Sequence, residues 1–240
     1  MTSEVPAALR RLWRLPESSR LGRPATLDVD VIIAAAVKIA DRDGLGGVTI
    51  PKVAKSLGFT GMSLYRHVGS KDELLTLMAD AAMGTPPDLD TGDWRQGLRA
   101  WALAQREVFR RRPWLTRVPT SGPPSGPHGI AWLEAGLAIL SRTRLDWAHK
   151  VGILSLLNGY VVHSVRQHSE LAEGRAEGQG QAEAERDYGR ALARLVDPGR
   201  FPETARLFAS AAFENAPPDT ADLDFSLGLE LILDGVAARI

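Results

Sequence analysis

The sequence predicts an all-α protein in which a small three-helix, helix-turn-helix domain is joined by a linking helix to a larger helical domain. Three observations carry this prediction. Apolar residues recur at helical spacing along most of the 240 residues, and no alternating strand pattern competes. Two short periodic segments, Thr49 to Leu57 and Thr60 to Val68, are separated only by Gly58-Phe59, a joint too tight for anything but two helices meeting at a steep angle. Gly84-Thr85-Pro86-Pro87 then interrupts the chain before a second set of longer periodic runs.

Composition bounds what such a chain can be. Hydrophobic residues make up 44% and charged residues 24%, enough for one sizeable core with a small satellite and incompatible with disorder throughout. Cysteine is absent, which excludes a disulfide framework, a thiolate metal site and a cysteine nucleophile. No run approaches the ~20 consecutive apolar residues of a membrane span, and the N-terminus lacks a signal-peptide core, so a soluble cytoplasmic protein with no membrane partner is expected. Charge balances at 29 basic against 29 acidic residues, yet residues 1–27 hold five arginines against two glutamates. That basic arm, with Arg20-Leu21-Gly22-Arg23-Pro24 at its end, suits a phosphate backbone or a minor groove, or is a solvated leader.

Taken in order, Asp28 caps a helix expected over about 29–41, which Gly44, Gly46 and Gly47 end. Thr49 caps the next, with Pro51 acceptable in its first turn and Lys52 where a capping-box glutamate would stand. Gly58 closes it, Thr60 caps its successor, and Gly69 closes that one. Ser70-Lys71-Asp72-Glu73 supplies a full capping box for a linking helix to about Met83. Residues 28–83 therefore read as the helix-turn-helix domain, and 84–240 as the larger domain. In the latter, helices are expected at about 94–112, 130–142, 146–172, 188–196, 201–213 and 222–240, with a short turn at 114–118. Residues 174–187 are poor in apolar side chains and are expected to be mobile.

The helices over 151–165 and 223–240 carry apolar residues on more than one face. Val151, Leu154, Val161 and Val165 form one stripe; Ile153, Leu156, Leu157 and Tyr160 form another. Packing each helix on its own core and on the same helices of a second copy, as a two-fold four-helix interface, buries both stripes, so a homodimer is expected; a buried central helix in a monomer is the alternative.

In the helix pair, the second helix presents Thr60, Gly61, Met62, Ser63, Tyr65, Arg66 and His67, small and hydrogen-bonding groups that let a backbone approach base edges, while Leu64 and Val68 face the first helices. At Leu64-Tyr65-Arg66-His67-Val68-Gly69-Ser70-Lys71 the chain resembles the TetR family of transcriptional regulators. Gly22-Arg23-Pro24, Ala34-Ala35-Ala36, Gly44 and Val53-Ala54-Lys55-Ser56-Leu57-Gly58 share that resemblance, which spans 20–83. The segments 94–114 and 201–240 are similar, more loosely, to the regulatory domain of the tetracycline-repressor branch. The resemblance implies a double-stranded DNA operator, with Thr49, Lys52, Tyr65, His67 and Lys71 on phosphates and Gly61, Met62, Ser63 and Arg66 nearest the bases. Arg66 is the expected specific contact, a guanidinium on a guanine being worth about 1–3 kcal/mol of discrimination. Gly61-Met62 departs from a hydrogen-bonding pair and points to few direct base contacts.

The resemblance also implies a small-molecule effector held in the larger domain, whose candidate wall is Trp101, Gln105, Phe109, Trp114, Trp132, Asn158 and His163, apolar surfaces with a few polar groups. Asn158 falls on the Val151-Leu154-Val161-Val165 stripe, where a buried amide needs a partner. Pro87 and Val108 stand where the tetracycline sensor's histidines are expected, which argues against tetracycline. His163, Gln167 and His168 lie on one helix face without a supporting carboxylate cluster, so no metal is expected, and no cofactor. No phosphate loop, nucleophile elbow or catalytic carboxylate pair occurs, so no catalysis is expected. The leading reading is a homodimeric repressor released from a palindrome by its effector. A small-molecule carrier or enzyme keeping the helix pair as scaffold, and an activator or nucleoid protein, are the alternatives.

Overall fold

The computed structural model describes residues 5–15, 27–89, 92–119, 122–175, 178–214 and 220–240. Its helices are α1 (Ala7–Leu12), α2 (Val29–Asp43), α3 (Ile50–Ser56), α4 (Gly61–Val68), α5 (Lys71–Met83), α6 (Trp94–Arg111), α7 (Pro127–Ile139), α8 (Trp147–Glu173), α9 (Gln181–Leu195), α10 (Pro202–Ala209) and α11 (Thr220–Ala237). Single 3-10 turns lie at Leu45–Gly47 and Pro113–Arg117. The all-α expectation holds: no strand occurs among the described residues. None of their helices is long and apolar enough to cross a membrane.

The chain packs as two units, Met1–Val165 with Val236–Ile240, and Arg166–Gly235. The sequence-based division after residue 83 falls inside the first unit. Within that unit α2 to α5 close around Ile32, Ile33, Ala36, Val48, Val53, Leu64, Val68, Leu74 and Met78, all buried. These positions recur at the i, i+3 and i+4 spacing of an amphipathic helix, so each short helix gains its stability from this shared core.

The caps follow the sequence closely. Thr49 Oγ1 accepts from the backbone N–H of Lys52 at 3.3 Å, and Pro51 sits in the first turn, where its missing N–H has no intrahelical partner in any case. Gly58 (φ +76°) makes the left-handed joint between α3 and α4 that side-chain-bearing residues rarely adopt. Three caps differ from expectation. Asp28 stands at the N-cap of α2, but its side chain makes no capping hydrogen bond. Thr60 stands at the N-cap of α4, but its hydroxyl pairs with that of Ser63 at 3.0 Å instead of a backbone N–H. Ser70 Oγ accepts from Glu73 N–H at 3.0 Å as expected, whereas the Glu73 carboxylate turns away to Arg11, with Nε–Oε1 at 2.7 Å and Nη2–Oε2 at 2.9 Å. A half-buried guanidinium outcompetes a neutral amide for a carboxylate, so the box closes on one side only.

Arg11 belongs to α1, a short helix within the basic arm whose Leu12 is buried. Arg14 donates to Asp30 at 2.8 Å, and the Trp13 indole donates to the Ser125 carbonyl at 2.7 Å. Two of the arm's cations thus have acidic partners within the protein. Arg20 and Arg23 lie outside the described residues.

In the second unit α9 begins at Gln181, well before the helix expected at 188, so residues 181–187 are helical rather than mobile. The reason is propensity: Gln181-Ala182-Glu183-Ala184-Glu185-Arg186 are strong helix formers despite offering little to a core. Tyr188, Phe208 and Phe213 form an aromatic cluster with centroids 5.2–5.7 Å apart. Helix α11 is apolar on opposite faces, with Phe225, Leu229 and Leu233 buried and Leu223, Leu227 and Leu231 exposed.

Candidate nucleic-acid interface and effector site

Helices α3 and α4 with the first turn of α5 bring the sequence-predicted DNA residues onto neighbouring elements. The alternation of α4 sorts its side chains: Leu64 and Val68 are buried, while Thr60, Met62, Tyr65 and Arg66 are exposed and Gly61, Ser63 and His67 are half-buried. Met62 is 77% exposed, an unusual state for a thioether that has no core to fill. A Cβ on Gly61 would meet only Ile50 Cγ2, at 3.6 Å, so packing does not require glycine there. Its small size leaves the start of α4 open to close approach from outside.

Lys52 and Lys71 are exposed at the first turns of α3 and α5, and Thr49 is half-buried at the N-cap of α3. Neither Arg66 nor Lys71 has an ion-pair partner among the described residues. Arg42, on the exposed side of α2, is by contrast paired with Asp43 at 2.7 Å. Its hydrogen bond holds the Asp43 carboxyl below the usual carboxylate range, with the charges of Arg42 and Lys52 adding to the effect. Arg66 and Lys71, which flank the exposed side of the helix pair, therefore keep their charge available to an outside anion.

Of the seven expected effector-wall residues, Trp101, Gln105, Phe109, Trp114 and Trp132 are buried. Trp101, Gln105 and Phe109 share one face of α6, four residues apart. Trp101 and Trp132 meet edge to face, with centroids 6.2 Å apart and planes at 73°. Gln105 is 2% exposed, and its Oε1 has no hydrogen-bond partner among the described residues. A buried carbonyl oxygen left in that state costs roughly 1–3 kcal/mol.

The other two wall residues are placed differently. Asn158 and His163 are exposed on the single chain. The buried stripe of α8 steps from Leu154 to Leu157, Val161 and Val165, not to Asn158, so the expected buried amide is not present within one chain. His168 is exposed too, and among the described residues no group of histidines and carboxylates is placed to hold a metal ion.

Several side chains absent from the sequence-derived site tie α2 and the linking helix α5 to α6, α7 and the turn between them. Asp41 of α2 receives the Trp114 indole N–H at 2.7 Å and Arg112 Nε at 3.2 Å. The Ala82 carbonyl accepts from Arg112 Nη1 at 3.1 Å, and the Gly84 carbonyl from the Trp132 indole at 2.9 Å. Asp80 accepts from Gly129 N–H at 2.9 Å and lies 3.0 Å from His128 Nδ1. One signal was present in the sequence: an acid in the last turn of a helix, as Asp41 is, opposes the helix dipole and calls for a partner elsewhere.

An exposed recognition helix braced by a second helix, with Arg66 and Lys71 unpaired among the described residues and a linking helix hydrogen-bonded to the larger helical domain, defines a helix-turn-helix transcriptional regulator. Residues 32–78 match the model for bacterial regulatory proteins of the tetR family, and residues 86–240 match the tetracyclin repressor-like C-terminal domain. The chain belongs to the TetR family. It is 35% identical to the HTH-type transcriptional repressor DrrR1 of Streptomyces coeruleorubidus, over 100% of this chain and 88% of that one. It is 33% identical to the class E tetracycline repressor protein of Escherichia coli, over 90% and 93% of the two chains. Among solved structures, Streptomyces coelicolor ActR in complex with actinorhodin superimposes with a TM-score of 0.73 at 26% identity, covering 90% of this chain and 99% of that one.

Proposed function

We propose that the chain is a homodimeric repressor that leaves a palindromic operator when a small molecule occupies the site beside Trp101 and Gln105. The observation that carries the sensing half is the unpartnered Gln105 oxygen, buried on the same α6 face as Trp101 and Phe109. An effector for this site is an aromatic molecule with a hydrogen-bond donor, stacking or edging against indole while it donates to Gln105. ActR, with its bound actinorhodin, supports this class, and actinorhodin is the natural first probe.

The reading half rests on Arg66, Ser63, Met62 and Gly61 at the base edges and on Thr49, Lys52, Tyr65, His67 and Lys71 along the phosphates, with Thr60 buttressing Ser63 through their shared hydrogen bond. Pairing of the exposed Leu223-Leu227-Leu231 stripe with that of a second copy makes a dimer with two reading heads, one for each half-site of a palindrome. Release follows from differential affinity: the effector must favour a head spacing that the operator does not.

Footprinting across the chain's own gene neighbourhood, followed by gel shift with and without actinorhodin, tests the reading. A protected palindrome whose affinity falls steeply with salt and falls further with effector is expected. A chain that binds no duplex at low salt would sink the regulator reading, and a ligand that leaves DNA affinity unchanged would instead favour a carrier.

A further inference from the structure

Two of the residues around the buried site make a second set of contacts. Trp101 donates its indole N–H to the backbone carbonyl of Trp132 at 3.0 Å. Trp132 in turn donates its own indole N–H to the carbonyl of Gly84 at 2.9 Å. Gly84 is the C-cap of α5, the helix that begins at the end of the recognition helix. Both indoles belong to buried residues; the Trp101 bond is itself buried and the Trp132 bond to Gly84 is part-buried. Trp101 stands one helical turn from Gln105 on the same face of α6. A continuous hydrogen-bonded path therefore runs from the orphaned oxygen's neighbour, through α7, to the end of the linking helix.

We propose that Trp132 is a positioning residue that transmits occupancy of the effector site to the reading head through its indole bond to Gly84. This rests on the sensing function proposed above. A ligand that engages Gln105 and shifts Trp101 must either break a buried bond to the Trp132 carbonyl or carry α7 with it. The second course displaces the Gly84 carbonyl, and with it the last turn of α5. Two other anchors, Arg112 to the Ala82 carbonyl and Asp80 to Gly129, hold the same helix end, so loss of the indole donor loosens the joint without dismantling it.

Trp132→Phe keeps an aromatic ring and removes the donor. Trp101→Phe breaks the step before it, and Trp147→Phe, an exposed position on α8, is the control. In the full-length protein without ligand, Trp132→Phe is expected to speed amide hydrogen exchange over residues 80–84 by about tenfold or more, while exchange in α2 and α8 stays close to that of the control and unfolding stays cooperative. On operators whose half-sites are moved apart by a single base pair, the wild type is expected to lose at least about tenfold in affinity and Trp132→Phe no more than about threefold, because a loosened head tolerates altered spacing. Trp101→Phe moves both readouts in the same direction by less. Unchanged exchange in α5, or an unchanged spacing profile, overturns the proposal. If Trp132→Phe unfolds, Trp101→Phe decides it: exchange over residues 80–84 and a spacing profile both unchanged from those of Trp147→Phe overturn the proposal. If no variant and no wild-type protein binds DNA, the regulator reading fails, while the exchange result still decides the contact.

Discussion

Replacing Leu227 and Leu231 with alanine tests the association of two copies through α11. These side chains are 63% and 64% exposed on the single chain and lie one turn apart, opposite the buried Phe225, Leu229 and Leu233. Fully burying a leucine is worth about 1.5–3 kcal/mol, so the exposed two-thirds of each leaves about 1–2 kcal/mol to be gained on association. A two-fold interface counts each substitution twice. The double variant therefore removes four such contributions, about 4–8 kcal/mol, which raises the dimer dissociation constant by a factor of roughly a thousand to several hundred thousand. Sedimentation equilibrium over a wide concentration range measures it. Helicity should stay at the wild-type level because the buried face is untouched. A dissociation constant within about tenfold of the wild type, in a folded variant, refutes the assignment of this stripe to the dimer.

Arg66→Ala should weaken operator binding by about 1–3 kcal/mol and relax selectivity at one base pair per half-site, whereas Lys71→Ala should weaken all duplexes alike and lower the salt slope by about 0.9 per lost phosphate contact, both read by fluorescence anisotropy. Gln105→Leu, near in volume, removes the unpartnered carbonyl; denaturant unfolding should show stability unchanged or raised by about 1 kcal/mol while effector affinity falls, and a clear loss of stability would mean that the oxygen had a partner. Asp146 begins α8 by accepting from the His149 backbone N–H at 2.8 Å and from its ring at 2.7 Å. Those two bonds, the backbone one first, hold its carboxyl below the usual range. A lowered folded-state value contributes stability at neutral pH that is lost as pH falls through it, so the first turn of α8 should fray below about pH 4 and Asp146→Asn should flatten that dependence, as followed by the exchange of the His149 amide.

Local chemistry made most of the head legible. Thr49, Gly58, Gly69 and Ser70 mark helix ends because each obeys a short-range rule, and short-range rules need no knowledge of what packs where. The resemblance centred on Tyr65 to Lys71 carried the family for the same reason. Errors arose where a partner distant in sequence decides the outcome. Glu73 looked committed to Ser70 until Arg11, 62 residues away, took its carboxylate. At Trp114 and Trp132 the indole's apolar body dominates the pattern, so the bonds from their N–H groups to Asp41 and Gly84 were not legible. Asn158 shows the limit of periodicity, since a stripe spaced by three or four residues passes as easily through Leu157 as through its neighbour.

The bonds that end on Asp41, Asp80, Ala82 and Gly84 bear on how such regulators are recombined. A chimera that exchanges reading heads at the Gly84 boundary keeps every helix whole but separates four acceptors from Trp114, Arg112, Gly129 and Trp132. The graft then carries carboxylates and carbonyls evolved for one set of donors onto a body that offers another. Such a hybrid can bind its operator and its ligand and still be deaf, because what was cut is the joint between them. Transplanting Arg112 to Trp114 and Gly129 to Trp132 together with the head would move the hinge along with the hand.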